Sequence, residues 1–167
     1  MNIVKHIMRL GLAMVVALVI AAPATQVSLA DEPPTTCTAD LIIFTTSPGT
    51  VTTQGQTTHF RDSGVAGQYT SGFLAGYTFT GAQDIVVNNN TNTSQLQGSF
   101  TATGPGGSLV IRYTGRADLS TGAATGHFHT AGGTGQFAGF HWTGDITAQL
   151  ISQTPPTFRA TDSGPCH

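Results

Sequence analysis

Lysine is almost missing from this chain. Lys5 is the only one in 167 residues, and charged side chains make up 8% of the sequence. After residue 30, Arg61, Arg112, Arg116 and Arg159 stand against eight carboxylates, a formal charge of −4. A nucleic-acid backbone needs a basic stripe to displace its counterions, so nucleic acid is excluded as a partner. Helical patterning is missing too: no stretch beyond residue 30 carries an apolar stripe at 3.6-residue spacing. There is no G-x-S-x-G, no H-E-x-x-H and no phosphate loop, which removes the usual signatures of serine-hydrolase, zinc-protease and nucleotide chemistry.

The one long apolar run is "LGLAMVVALVIAA" (10–22), preceded by Lys5 and Arg9. It is short for a membrane span of about 20 residues. "APA" and "SLA" offer small-residue cleavage sites after Ala24 or Ala30. This pattern predicts a signal peptide over residues 1–30, a secreted mature chain, and no membrane association after cleavage. Cys37 lacks the upstream apolar residue of a lipid-attachment site.

What remains is a 137-residue chain with 27 threonines and 20 glycines. Threonine is β-branched and suits wet strand faces without adding charge. "LQGSFTAT" (96–103), "SLVIRYTGR" (108–116) and "TGDITAQL" (143–150) alternate apolar and polar residues with period two. "LIIFTT" (41–46), "QTTHFR" (56–61), "FLAGYTFTG" (73–81) and "QDIVV" (83–87) are further strand candidates. Turn clusters at "SPG", "NNNTN", "GPGG" and "STG" separate them. The expected fold is all-β, a single antiparallel β-barrel of about eight strands. Residues 31–56 hold a first strand and Cys37, residues 57–150 the barrel body, and residues 151–167 an irregular tail with Cys166. "DSG" occurs at 62–64 and 162–164 and reads as two turns.

Cys37 and Cys166 are the only cysteines. In an oxidising compartment they are expected to pair, which would bring the two ends of the mature chain together.

"GGTGQFAGFHWTGDI" (132–146), with "YTGRADLSTGAATGHFH" before it, resembles the Gly-rich closing hairpin of the allene oxide cyclase and dirigent-like barrels. Secreted bacterial relatives of unknown role share this likeness, which covers roughly residues 57–150. Gly132, Gly133 and Gly135 match the family's turn glycines, and Phe137 its packing residue. The resemblance implies an eight-stranded barrel whose cavity opens at one end and works without metal or organic cofactor. No catalytic carboxylate, arginine or tyrosine of the family matches position by position, so fold is implied and chemistry is not.

The histidines of "GHFHTAGGTGQFAGFHW" (126–142) pose a separate question. His127 and His129 share a strand face, with Cα atoms about 6.6 Å apart. A three-residue loop with Ala131 opposite Gly135 would set His141 on that face; a two-residue loop at Gly132-Gly133 would set it on the other. Metal binding by His127, His129 and His141 stands against the simpler reading of a solvated pair flanking an inward Phe128. The interior is expected to draw on Tyr77, Phe79, Phe100, Ile111, Tyr113 and Phe128, with Trp142 beside the turn. These side chains either fill the barrel or line a cavity for one small apolar molecule. Three functions fit: a non-catalytic binder of such a molecule, a cofactor-independent isomerase or cyclase, and a structural or adhesive module. Ligand identity and oligomeric state are beyond the sequence.

Overall fold

The computed structural model describes residues 35–167. The expected signal peptide lies outside the described residues. Those described form one antiparallel sheet of nine strands closed into an eight-staved barrel: β1 (Thr35–Ser47), β2 (Thr50–Gln54), β3 (Thr57–Tyr69), β4 (Thr78–Asn88), β5 (Thr93–Gly104), β6 (Gly107–Asp118), β7 (Ala123–Gly133), β8 (Thr143–Gln153) and β9 (Pro156–Cys166). From β3 to β9 each strand pairs with the next, and β1 inserts between β9 and β3 to close the ring.

Nine strands make eight staves because β1 and β2 lie along one partner. β1 pairs with the second half of β3, from Leu41↔Tyr69 to Ser47↔Gly64, and β2 with its first half, from Thr50↔Arg61 to Gln54↔Thr57. The break between them falls at Gly49, whose φ is +64°, where a side chain would run into the backbone of Arg61 and Asp62. Glycine removes that collision and tolerates the left-handed backbone.

Three expectations need correction. Residues 151–167 are not an irregular tail: β9 occupies Pro156–Cys166 and pairs with both β1 and β8. Pro156 sits at the first strand position, where a missing N–H is tolerated. Behind it Phe158, Ala160 and Asp162 point inward while the intervening residues face out. The two "DSG" triplets are not turns either, since they lie within β3 and β9. The "FLAGYTFTG" candidate also divides. Residues 73–76 belong to a turn, and a single strand, β4, runs from Thr78 through "QDIVV".

One end of the barrel is plugged. The connection over 70–77 buries Leu74 and Tyr77, and the connection over 134–142 buries Phe137 and Trp142. Trp142 packs edge-on against Phe128 and Phe73, with ring centroids 4.4 and 4.8 Å away. Phe137 stands edge-on to Tyr77 at 5.7 Å. Gly135, at φ +62°, lets the short 3-10 turn Gly135–Phe137 start close against Gly106.

Cys37 and Cys166 form a disulfide, with Cα atoms 5.8 Å apart and a sequence separation of 129. It joins the neighbouring strands β1 and β9, the seam at which the ring closes. A covalent link across so long a loop restricts the unfolded chain by about 5 kcal/mol in the loop-entropy picture. Cys37→Ser is therefore expected to lower the unfolding free energy by about 3–5 kcal/mol in urea titrations. A loss below about 1 kcal/mol would show that the seam does not depend on the bond.

Candidate ligand cavity

The barrel interior has a packed half and a hollow half. Towards the plugged end the inward residues are large: Tyr69, Phe79, Leu109, Ile111 and Phe128 are all buried and in mutual packing. Towards the other end β6 turns in Gly115 and Ala117, β7 Ala124 and Gly126, and β8 and β9 Ala148 and Ala160. Eight staves fix the interior radius, so small residues there leave space rather than drawing the walls together. The result is a cavity of about 480 Å³, within the range of small-molecule sites. Its mouth is edged by Phe44 and Leu119, 38% and 46% exposed.

The floor of the cavity is where the packed half begins. Phe100 and Tyr113 form it, their rings 5.7 Å apart, and Phe79 backs Phe100 at 4.5 Å. The phenol of Tyr113 donates to Gln83 Oε1 at 3.0 Å. It does so across Gly98, which pairs with both residues; a Cβ there would lie 2.7 Å from the Tyr113 oxygen. Ser63, fully buried in β3, donates to the carbonyl of Ser47 at 3.0 Å.

Asp162 is the one charged-type residue of the lining. It projects from β9 between Ala39 of β1 and Ile146 of β8 and is 1% exposed. The hydroxyl of Tyr69 donates to its Oδ2 at 3.2 Å, while its Oδ1 is buried without a protein partner. No lysine, arginine or histidine lines the cavity. Burial in this apolar wall raises the Asp162 carboxyl to a pKa of about 7, against the pull of the Tyr69 hydrogen bond. Burial, and then the neighbouring Asp162, push the Tyr69 phenol well above its ordinary range. Burial likewise raises Tyr113.

The residues expected from sequence to form the interior are all buried, but in different halves. Phe100 and Tyr113 line the cavity. Tyr77, Phe79, Ile111, Phe128 and Trp142 belong to the packed core and plug. Gly132, Gly133 and Gly135 lie at the end of β7 and the start of the 134–142 connection, with Phe137 packed beneath.

The histidines lie elsewhere. His127 and His129 share the outer face of β7, where His127 Nδ1 meets Asp145 Oδ1 at 2.6 Å across the strand pair. Both partners are largely exposed, so the pair adds little to stability. His141 does not join them. The connection before β8 is longer than either loop weighed from sequence, and His141 exchanges backbone hydrogen bonds with His167 at 2.9 and 3.0 Å. Among the described residues no three His, Cys, Asp or Glu side chains gather where they could hold a metal ion. Asp162 escaped the sequence reading because "TDSG" looked like a turn. Its alternation with Phe158 and Ala160 is the signal that marks it as inward.

No protein-family model matches the chain, and no curated protein sequence is significantly similar to it. Among the described residues no helix is long and apolar enough to cross a membrane.

The Asp162 carboxyl gives stability a defined pH dependence. In the unfolded chain it ionises near its ordinary value of 3.8, in the barrel near 7. The unfolded chain thus loses the proton first as pH rises. The contribution of Asp162 to stability is fullest below pH 4, declines between pH 4 and 7, and is constant above. The difference is on the order of 4 kcal/mol. Asp162→Asn should remove this decline, so that the variant gains on the wild type in thermal melts from pH 4 to pH 8. Parallel pH profiles for the two proteins would contradict the placement of the carboxyl.

Proposed function

We propose that this chain is a secreted barrel that binds one small apolar molecule in its open half. The observation that carries this reading is the cavity itself: a one-ended apolar space of about 480 Å³, walled by Ile43, Phe60, Ile85, Leu96 and Phe158 and by alanine and glycine on β6 to β9. Burying apolar ligand surface there supplies about 25 cal/mol per Å² before the costs of association. Phe44 and Leu119 at the mouth give such a molecule an apolar path inward. The disulfide fits an oxidising compartment, in line with the leader-like pattern over residues 1–30.

A second reading is a cofactor-independent isomerase or cyclase of the allene oxide cyclase type. The likeness of the 132–146 segment supports it, and so does the presence in the lining of one titratable carboxyl and one phenol, Asp162 and Tyr113. General acid–base chemistry needs at least one such group beside the reacting atoms.

The neutral dye N-phenyl-1-naphthylamine should brighten on adding the folded protein. Ala148→Phe, which fills the space from the wall of β8, should weaken the dye's affinity at least tenfold while leaving the melting profile cooperative. Folded wild type that leaves the dye dark would contradict the reading. Expressed with its own leader in a secreting bacterial host, the released protein should begin at Thr25 or Asp31 by intact mass. Retention of residues 1–24 would contradict secretion by cleavage.

A further inference from the structure

We propose that Gln83 is the specificity-determining residue of the cavity: its side-chain amide donates a hydrogen bond to a neutral oxygen, a ketone or ester carbonyl, at the inner end of an otherwise apolar ligand. The proposal rests on the apolar-ligand reading above and deepens it by naming the ligand's polar end and the way round in which it enters.

The hydrogen bonds at the floor fix which way the amide points. Ser63, the partner of Gln83 on β3, is fully buried and spends its proton on the Ser47 carbonyl. Tyr113 donates to Gln83 Oε1 at 3.0 Å and has no other side-chain hydrogen bond among the described residues. A buried phenol has one proton to place, so Gln83 turns its oxygen towards Tyr113 and its NH2 away. Gly98 makes room for the pair: it lies opposite both residues, and a Cβ there would come within 2.7 Å of the Tyr113 oxygen and 2.8 Å of Gln83 Cβ.

Gln83 Nε2 is left with two N–H groups and no protein acceptor among the described residues, yet it is not walled in. The fully buried side-chain polar atoms without a partner are Trp142 Nε1 and Asp162 Oδ1, and the Gln83 nitrogen is not among them. Gln83 itself is half-buried and lines the cavity together with Ile85 and Val87 of the same strand. Its nitrogen therefore keeps surface that a ligand atom can touch. A donor set in an apolar wall gains from an acceptor that the ligand brings with it. A carboxylate would be buried there without a counter-charge, since no lysine, arginine or histidine lines the cavity; a neutral carbonyl loses far less on leaving water. Val87 lies four residues nearer the mouth, about 13 Å by strand rise. Head-down binding places the carbonyl at the floor and lays the alkyl tail past Ile85 and Val87 towards Phe44 and Leu119.

The test is displacement of N-phenyl-1-naphthylamine by 2-decanone, 1-decene and decanoate, for wild type and for Gln83→Met, which keeps the side chain's length and has no N–H. The substitution should raise the dissociation constant of 2-decanone relative to that of 1-decene roughly tenfold, the worth of one hydrogen bond. The change in that ratio is the readout, because ketone and alkene also differ in their affinity for water. The double variant Gln83→Met, Tyr113→Phe leaves no phenol proton without an acceptor, and it should show the same shift even where the single variant folds poorly. An unchanged ratio in a folded variant would overturn this inference and leave the apolar cavity standing. Decanoate bound by wild type more tightly than 2-decanone, and weakened by Gln83→Met, would overturn the assignment of a neutral oxygen. Folded wild type that binds neither the dye nor any of the three probes would remove the apolar-ligand reading and this inference with it.

Discussion

Closure of the sheet is the constraint on which the rest depends. Seven of the staves follow one another in hairpins, but the ring is complete only because β1 lies between β3 and β9. Without that stave, β3 and β9 would both be open edges and the inward side chains would have no opposite wall. The β1–β9 seam runs in unbroken register from Thr35↔Cys166 to Phe44↔Thr157, and the Cys37–Cys166 bond crosses it. Asp40 reinforces it from outside: its carboxylate accepts hydrogen bonds from Ser71 at 2.6 Å and Thr161 at 2.7 Å, tying β1 to the 70–77 connection and to β9. Those bonds hold its carboxyl below the ordinary aspartate range.

Once the ring is closed, its width is set by strand number rather than by side-chain volume. Whether a given level is packed or hollow is then decided by residue size at the inward positions. Phe79, Ile111 and Phe128 fill one level; Ala117, Ala124 and Ala148 leave room at another. The step between the two is where Phe100, Tyr113 and Asp162 are found. A carboxyl in that position is screened from bulk water.

Much of the architecture was legible because strand alternation is a local property. The period-two pattern in 96–103, 108–116 and 143–150 identified β5, β6 and β8 directly, and the cysteine pair gave the meeting of the termini. The burial of Tyr77, Phe79, Phe100, Ile111, Tyr113 and Phe128 followed from the same parity; that of Trp142, in the connection before β8, did not. What parity does not carry is depth along the barrel axis. Phe100 and Ile111 are cross-strand partners, yet the first borders the cavity and the second lies in the packed core. Depth depends on register among all eight staves, which no single segment contains. β9 was missed for a different reason: proline and small polar residues, usual marks of a loop, here begin and thread a strand that is paired on both sides. With β9 unread, Asp162 had no face. The histidine geometry failed on loop length, since the 3-10 turn at Gly135–Phe137 lengthens the connection and changes what His141 can meet.

Asp162 is the one carboxyl at the boundary between the packed half and the empty one. Its protonation can be read directly by following the side-chain carboxyl carbon of Asp162 in a 13C NMR titration of the folded protein. A carboxyl walled in by apolar side chains at the cavity floor predicts a midpoint near pH 7. A midpoint near 4, the value of an aspartate in water, would contradict both its burial and the hollow barrel that the structure places above it.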